Sequence, residues 1–491
     1  YEKPSAYKAA VKAFTTTRVA DVIMLLGIAY LYFTTGTLSF REILYNEEVL
    51  SALAQTPAII FGGISAASLI GVFLIIGTIG KSAQWPMHVW LPDAMEGPTP
   101  VSAMIHAAAM VSAGVYAIIR MYPLLEAGAN PHSGDFNSPL MLMAIIGSIT
   151  ALFAATIAVA QNDVKRVLAY STISQLGFMV AALGIGAYVA ATFHLITHAF
   201  FKALLFMASG AVIHGMEHGH HHAHAHGHDD DEEHAHEHGG DHDHAHESHG
   251  EGEHAIVAHD AHALPPYVEL PVASQKEGAF DPQDMMNMGG RRKTMPVTWI
   301  TFLVGGLSLA GFPLITAGFW SKDEILLDGW VGLTEGFGPQ ALVFICLALA
   351  AFMTAFYTAR QLSLTFLGEP RTAAAKHANL GRGVVSATMT LPLIILAFFA
   401  LFAGFVGVHP DFPILGSILS PNREIPFKEF LGYTLLHKPE LVPFSIVAPL
   451  VSFAVALGGL ALGFAMYARK PLKAGEVDPM VRILGPVYPV L

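Results

Sequence analysis

The segment Val189-Ala-Ala-Thr-Phe-His-Leu-Ile-Thr-His-Ala-Phe-Phe-Lys-Ala-Leu-Leu-Phe-Met-Ala-Ser-Gly-Ala-Val-Ile213 decides what kind of molecule this is. It exceeds the about 20 apolar residues a helix needs to cross about 30 Å of hydrocarbon. Yet it carries His194, His198 and Lys202, spaced i, i+4 and i+8 on one helix face. An ionisable group in the bilayer costs at least a few kcal/mol, so such groups mark function by default. Two readings compete. The three are either polar glue between helices or a proton relay, since imidazole exchanges protons near neutral pH. Thr197 and Ser209 add hydroxyls nearby. Three ionisable groups in register favour the relay.

The rest of the chain agrees with a membrane setting. Of 491 residues only 13% are charged and 53% are apolar, with mean hydropathy +0.50; soluble proteins carry roughly 25% charged residues. An ordinary soluble enzyme and a disordered chain are excluded. The net charge of −12 and the lack of a basic stripe exclude nucleic acid as a partner. The single cysteine, Cys346, excludes a disulfide scaffold, a Cys-ligated zinc site and an iron–sulfur cluster held by this chain alone. Ten segments are apolar enough to span: 18–36, 58–80, 98–122, 139–160, 164–186, 189–213, 296–320, 340–367, 384–408 and 443–467. The alternating ten-residue strands of a β-barrel are absent. The fold class read from this pattern is all-α, a polytopic membrane helix bundle.

Loop charges orient it. With these spans, seventeen Lys and Arg fall on one side and five on the other, a positive-inside asymmetry. Both termini and the insert between His214 and His262 are therefore expected on the cytoplasmic-type face of an energy-coupling membrane. That insert holds 13 Asp and Glu, no Lys or Arg, and 18 of the 26 histidines. The acidity belongs to the insert, not to the bundle.

Four basic residues are left over inside the spans: Lys81, Lys202, Lys322 and Arg360. Lys81 follows Gly77 and Gly80 and precedes Pro86, Pro92, Pro98 and Pro100. Lys322 follows Gly305-Gly306, Gly311, Pro313 and Gly318. Two Gly/Pro-interrupted segments, each with a lysine, point to a transporter of repeats with discontinuous helices. A break frees carbonyls that can receive a buried ammonium. The alternative for each lysine is snorkelling from a helix end. His106 stands evenly between relay member and packed histidine. Asp323 and Glu324 are the acidic candidates to pair with Lys322. Asp21 lies near the inner end of the first predicted span, so Lys81 is expected to find no carboxylate there.

Four longer runs now become recognisable. They are Gly80-Lys-Ser-Ala-Gln-Trp-Pro-Met-His-Val-Trp-Leu-Pro-Asp-Ala-Met-Glu-Gly-Pro-Thr-Pro100 with His106, Asp163-Val-Lys-Arg-Val-Leu-Ala-Tyr-Ser-Thr-Ile-Ser-Gln-Leu-Gly177, Phe193 to Phe206, and Gly318-Phe-Trp-Ser-Lys-Asp-Glu-Ile325. In that order they resemble the large antiporter-like, proton-pumping subunit of respiratory complex I, chain L in bacteria and subunit 5 in mitochondria. The resemblance covers Tyr1 to the tenth span, the insert excepted. It implies a subunit of a proton-translocating NADH:quinone oxidoreductase, with no cofactor in this chain. NAD, FMN, iron–sulfur clusters and quinone would sit in partner subunits, which are the other membrane-arm antiporter-like subunits and the peripheral redox arm.

By matching motifs, Lys81 is similar to the family's first-half channel lysine, with His106 beside it. His194, His198 and Lys202 match the connecting group, and Lys322 the second-half lysine near the exit. The resemblance also implies inverted repeats, divided as 1–122, 123–213, 214–295 (insert and linker), 296–367 and 368–491. It places the glutamate partner of Lys81 upstream of Tyr1 and a lateral helix after Leu491, so the chain reads as a fragment. Mrp-type Na⁺/H⁺ antiporters, membrane-bound hydrogenases and reductases fed by other donors share these motifs.

The insert departs from the family. His220, His221, His222, His224 and His226 offer nitrogen ligands to zinc, nickel or copper, but the spacing defines no tetrahedral site. A solvated low-complexity segment is the plainer reading. The insert also sustains a rival class, a zinc transporter using His194 and His198, against which Lys202 places a cation one turn away. An intramembrane metalloprotease fails outright, because 194–198 reads His-Leu-Ile-Thr-His and lacks the glutamate base.

Overall fold

A computed structural model describes residues 3–60, 63–227, 280–380, 384–420, 422, 424–432 and 442–490. Most are helical, and among them β-structure is limited to isolated bridges. Twelve longer helices build the bundle: α1 Pro4–Thr35, α2 Ala66–Lys81, α3 Thr99–Ala107, α4 Met110–Glu126, α5 Ser138–Ala160, α6 Val164–Gly184, α7 Tyr188–Gly227, α8 Pro296–Ala310, α9 Ala317–Thr334, α10 Gly338–Phe366, α11 Val384–Phe402 and α12 Val447–Tyr467. Eight spans among the described residues are long and apolar enough to cross a bilayer, Thr99–Glu126 counting as one; α2 and α8 are shorter and apolar.

The helix ends follow local chemistry. Asp163 caps α6 by accepting from the Lys165 and Arg166 amides, and Asn137 caps α5 by accepting from Leu140. Gly36 closes α1 in the left-handed region, a conformation that L-residues rarely adopt. In the middle of the bundle α5 and α6 touch backbone to backbone: a Cβ on Gly184 would lie 2.2 Å from the Ala144 nitrogen, and one on Gly177 2.6 Å from that of Ala151. Small residues are what let two membrane helices come this close.

Two helices are indeed discontinuous: the second break falls at the Gly/Pro pattern before Lys322, whereas the first lies downstream of the one the sequence suggests. The 77–98 stretch is not an interrupted helix. α2 ends at Lys81, and turns with a short 3-10 segment, Asp93–Glu96, lead to Thr99. Pro98 and Pro100 stand at the start of α3, where a missing N–H costs nothing, rather than kinking a helix interior. The break lies at Ala108 and Ala109 inside the predicted 98–122 span, and Ser112 donates to the freed Ala107 carbonyl at 3.0 Å. Likewise the predicted 296–320 span is two helices. Gly311 ends α8 with φ +74°, Pro313 cannot continue it, and α9 restarts at Ala317 and runs on to Thr334 through residues read as loop.

Contacts gather the basic loops on one face. Ser5 donates to Glu96 at 3.0 Å and Lys12 pairs with Asp93 at 2.6 Å. Lys165 reaches Met95 O and Gly97 O, and Asp163 bridges to Asp284. Burial pushes both the Asp163 and the Asp284 carboxyl above the usual range, although backbone amides oppose it. Helix α7 overshoots its predicted end by four turns. Gly219 lies against the Ala374 and Ala378 backbone, and His220 stacks on Phe280 at 4.4 Å. The opening of the histidine tract is therefore helix packed on the protein, while residues 228–279 lie outside those described.

Candidate functional site: a buried line of lysine and histidine

The α7 stripe faces inward. His194, His198 and Lys202 are each fully buried. Lys202 Nζ donates to Ser171 Oγ and, at 3.2 Å, to Leu168 O on α6. Its charge is thus met by dipoles; no carboxylate pairs with it among the described residues. His198 packs edge-on to Phe201 at 5.2 Å, and neither ring nitrogen has a hydrogen-bond partner among the described residues. One turn on, at a ring separation of 6.2 Å, His194 bonds Gln175 Oε1 at 3.0 Å and Ser321 Oγ at 2.9 Å. Thr197 also donates to Ser321, at 2.9 Å.

Ser321 belongs to α9, one residue before Lys322. The broken helix does what its Gly/Pro pattern promised: the end of α8 frees Leu309 O, and Lys322 Nζ donates to it at 2.5 Å. The ammonium also lies 5.6 Å from the centre of the Phe178 ring, a cation–π distance. His106, on the short half α3, stacks on Phe206 of α7 at 4.6 Å with both nitrogens unpartnered, and Lys202 and Lys165 are the cations it faces. The second break and the α7 stripe are thereby brought to one centre.

Three expectations need correcting. Lys81 does have a carboxylate in the first helix: Asp21 Oδ2 lies 3.0 Å from its Nζ. α1 begins at Pro4, about four turns earlier than the apolar run, so Asp21 is mid-helix rather than at its end. Asp323 and Glu324 do not partner Lys322. Successive helical residues point 100° apart, and Asp323 instead accepts from Ser452 of α12 at 2.8 Å. Arg360, a functional candidate by its place inside a span, instead closes a buried pair with Asp478 and donates to Asn162 and Gln161 O at the basic face.

Lys165, one of the seventeen charges counted to the loops of one face, is buried and donates to Met95 O at 2.6 Å and Gly97 O at 2.8 Å. Its position two residues after a capping aspartate was the available signal. Gln175, Ser171 and Ser321 were also missed, since neutral polar residues are common in membrane helices.

No three His, Cys, Asp or Glu side chains among the described residues are grouped to hold a metal ion. Of the five insert histidines, the side chains of His224 and His226 lie outside the described residues. His194, the first ligand of the zinc reading, has both ring nitrogens engaged by Ser321 and Gln175.

Comparison with known proteins gives concordant results. Residues 1–227 and 271–352 match the family described as "NADH:quinone oxidoreductase/Mrp antiporter, TM". The chain is 38% identical to NAD(P)H-quinone oxidoreductase chain 5 of a Picosynechococcus species, over 100% of this chain and 62% of the relative. It is 34% identical to NADH-quinone oxidoreductase subunit L of Neisseria meningitidis serogroup A, over 99% of this chain and 63% of the relative. This chain therefore spans about three fifths of the length of those relatives. Among solved structures it is similar to a chain of the Mrp complex from Dietzia sp. DQ12-45-1b, with TM-score 0.65, 25% identity, and coverage of 99% of this chain and 42% of that one.

Proposed function

This chain belongs to the NADH:quinone oxidoreductase/Mrp antiporter transmembrane family, and from that premise we propose that it is a proton-translocating membrane-arm subunit of a complex I-type NADH:quinone oxidoreductase. The single observation that carries the reading is the His194–Ser321 hydrogen bond, 2.9 Å long, which joins the buried α7 stripe to the helix bearing Lys322. The proton path runs from the Lys81–Asp21 pair past His106 to Lys202, along His198 and His194, and through Ser321 to Lys322. Side chains without fixed partners, such as His106 and His198, supply the sites where water completes the line. Lys202 and Lys322 are each met by neutral hydroxyl and carbonyl dipoles rather than by a carboxylate.

Redox chemistry in partner subunits drives the cycle. NAD, FMN, iron–sulfur clusters and quinone belong to those partners, and the neighbours in the membrane arm are further antiporter-like subunits. The basic face, with the histidine-rich insert, is the cytoplasmic-type side by the positive-inside rule. Two halves related as inverted repeats would supply the two lysine sites, Lys81 at the end of α2 and Lys322 after the second break. The likeness to the Mrp chain sustains a second reading, Na⁺/H⁺ exchange, which predicts Na⁺-dependent turnover.

The test is Lys202→Met in the assembled complex, reconstituted in vesicles. Proton pumping should fall about tenfold or more, equivalent to about 1.4 kcal/mol on the limiting transfer, while the complex stays assembled. Unchanged pumping would overturn the relay. Zinc uptake by the purified chain would favour the metal-transporter reading instead.

A further inference from the structure

The two ring nitrogens of His194 meet partners of unlike kind. Nδ1 lies 2.9 Å from Ser321 Oγ, and Nε2 lies 3.0 Å from Gln175 Oε1. A hydroxyl can give or take a hydrogen bond, whereas an amide oxygen can only accept one. Nε2 must therefore carry a hydrogen, since two bare lone pairs at that separation would repel. A neutral imidazole has a single ring hydrogen. With it on Nε2, Nδ1 is bare and faces the serine.

Ser321 can meet Nδ1 in either charge state. Its hydroxyl has two acceptors within reach, His194 Nδ1 at 2.9 Å and Ala317 O at 3.2 Å. Thr197 donates to the same serine oxygen at 2.9 Å. Beside a neutral ring, Ser321 donates to Nδ1. Beside an imidazolium it accepts from Nδ1 and turns its own hydrogen to Ala317 O. No heavy atom has to move.

Gln175 stands on the face of α6 that serves the whole α7 stripe. Leu168, Ser171 and Gln175 are at i, i+3 and i+7; the first two receive Lys202 and the third receives His194. Two residues on, Gly177 seats this helix against the α5 backbone, so the amide is presented from a fixed support. Gln175 is fully buried, yet its Nε2 has no partner among the described residues. A buried donor left unmet costs about 1–3 kcal/mol, and a methionine would fill the same space without that cost. Packing alone does not account for an amide here; its bond to His194 does.

Resting on the relay reading above, we infer that Gln175 is a positioning residue that fixes the tautomer of His194, so that the relayed proton is taken up and given back at Nδ1, beside Ser321. Loading brings a proton from the His198 side through water to Thr197. The Thr197 hydroxyl proton passes to Ser321 Oγ as the serine's own proton passes to Nδ1. Unloading breaks the Nδ1–H bond as an O–H bond forms on Ser321, whose own proton leaves through water for an unprotonated Lys322 Nζ. Each step forms one O–H or N–H bond as another breaks, and the Nε2 hydrogen stays in place throughout. Turning the amide over would present its N–H to His194, move the ring hydrogen to Nδ1 and leave the vacant lone pair facing Gln175, where no proton arrives.

The test is solid-state NMR of the assembled complex in lipid, labelled with carbon-13 and nitrogen-15 histidine, with His194→Gln as the blank that identifies the His194 signal. Neutral His194 should show its hydrogen on Nε2 and a bare Nδ1; the opposite tautomer overturns the inference. Gln175→Met should lose that preference and, in reconstituted vesicles, pump about tenfold less or worse. Gln175→Glu, which keeps an accepting oxygen at Nε2, should retain the native tautomer. A loss of pumping by Gln175→Met with the tautomer unchanged marks a merely structural role and overturns the inference. So does normal pumping by Gln175→Met beside a pumping-dead Lys202→Met, which leaves the relay standing. If Lys202→Met also pumps normally, the relay reading itself falls. Should Gln175→Met fail to assemble, the tautomer in the native complex and in Gln175→Glu decides.

Discussion

Lys81 and Asp21 show how a single pairing changes what a residue can do. The pair is only partly covered, with 34% and 23% of the two side chains exposed, so as an ion pair it contributes about 1 kcal/mol or less to stability. Its value lies in holding an ammonium at a defined point. Asp21→Asn should leave assembly intact and slow proton pumping several-fold, and the exchanged pair Asp21→Lys, Lys81→Asp should recover part of it in the same vesicle assay. Lys165 is a different case, since both its bonds go to carbonyls ending the Asp93–Glu96 turn. Lys165→Met should loosen that linker and be read as faster proteolysis within residues 92–98 in addition to any loss of pumping. Of these residues Lys81 was legible from its Gly/Pro surroundings. Asp21 and Lys165 were not, because hydropathy locates the centre of a span and says little about where the helix starts.

At the level of elements, the two breaks are made differently. α8 ends on a glycine at φ +74°, a conformation that costs an L-residue roughly 1–2 kcal/mol; Gly311→Ala should therefore lower the thermal midpoint of the complex while misplacing Leu309 O, the acceptor of Lys322. The α3–α4 break has alanines at its centre, and its freed carbonyl is met by Ser112. Nothing in Ala107-Ala-Ala109 announces a break, which explains why 98–122 reads as one span. The α5–α6 contact is stricter still. With backbone atoms 2.2 Å from where a Cβ would stand, Gly184→Leu should cost more than the about 1–3 kcal/mol usual for overpacking and appear as loss of assembled complex on a native gel.

Across the whole molecule, distant segments are tied at the basic face. Arg360 and Asp478 form a buried pair joined by Tyr467 and Asn162. Removing one partner of such a pair costs about 3–5 kcal/mol, so Arg360→Met should reduce the amount of assembled complex rather than the pumping of what assembles. The histidine tract divides in two by the same criterion. Residues up to Gly227 are helix, with Gly219 seated on the Ala374–Ala378 backbone. Deleting 228–260 should leave pumping near normal, whereas a deletion beginning at 217 should impair assembly by removing that seat.

The amino-acid order alone established the membrane setting, the all-helical class, the α7 stripe and the helix break that precedes Lys322. Each depends on local quantities, apolar length and the 3.6-residue period, that no folding is needed to evaluate. The tertiary arrangement alone decided that Asp21 meets Lys81, that His194 reaches across to Ser321, and that Asp323 turns from Lys322 to Ser452. Those outcomes depend on which helix faces are packed together. Helix rotation and break position are set by backbone contacts between small residues and by freed carbonyls finding donors, and residues far apart in the chain determine both.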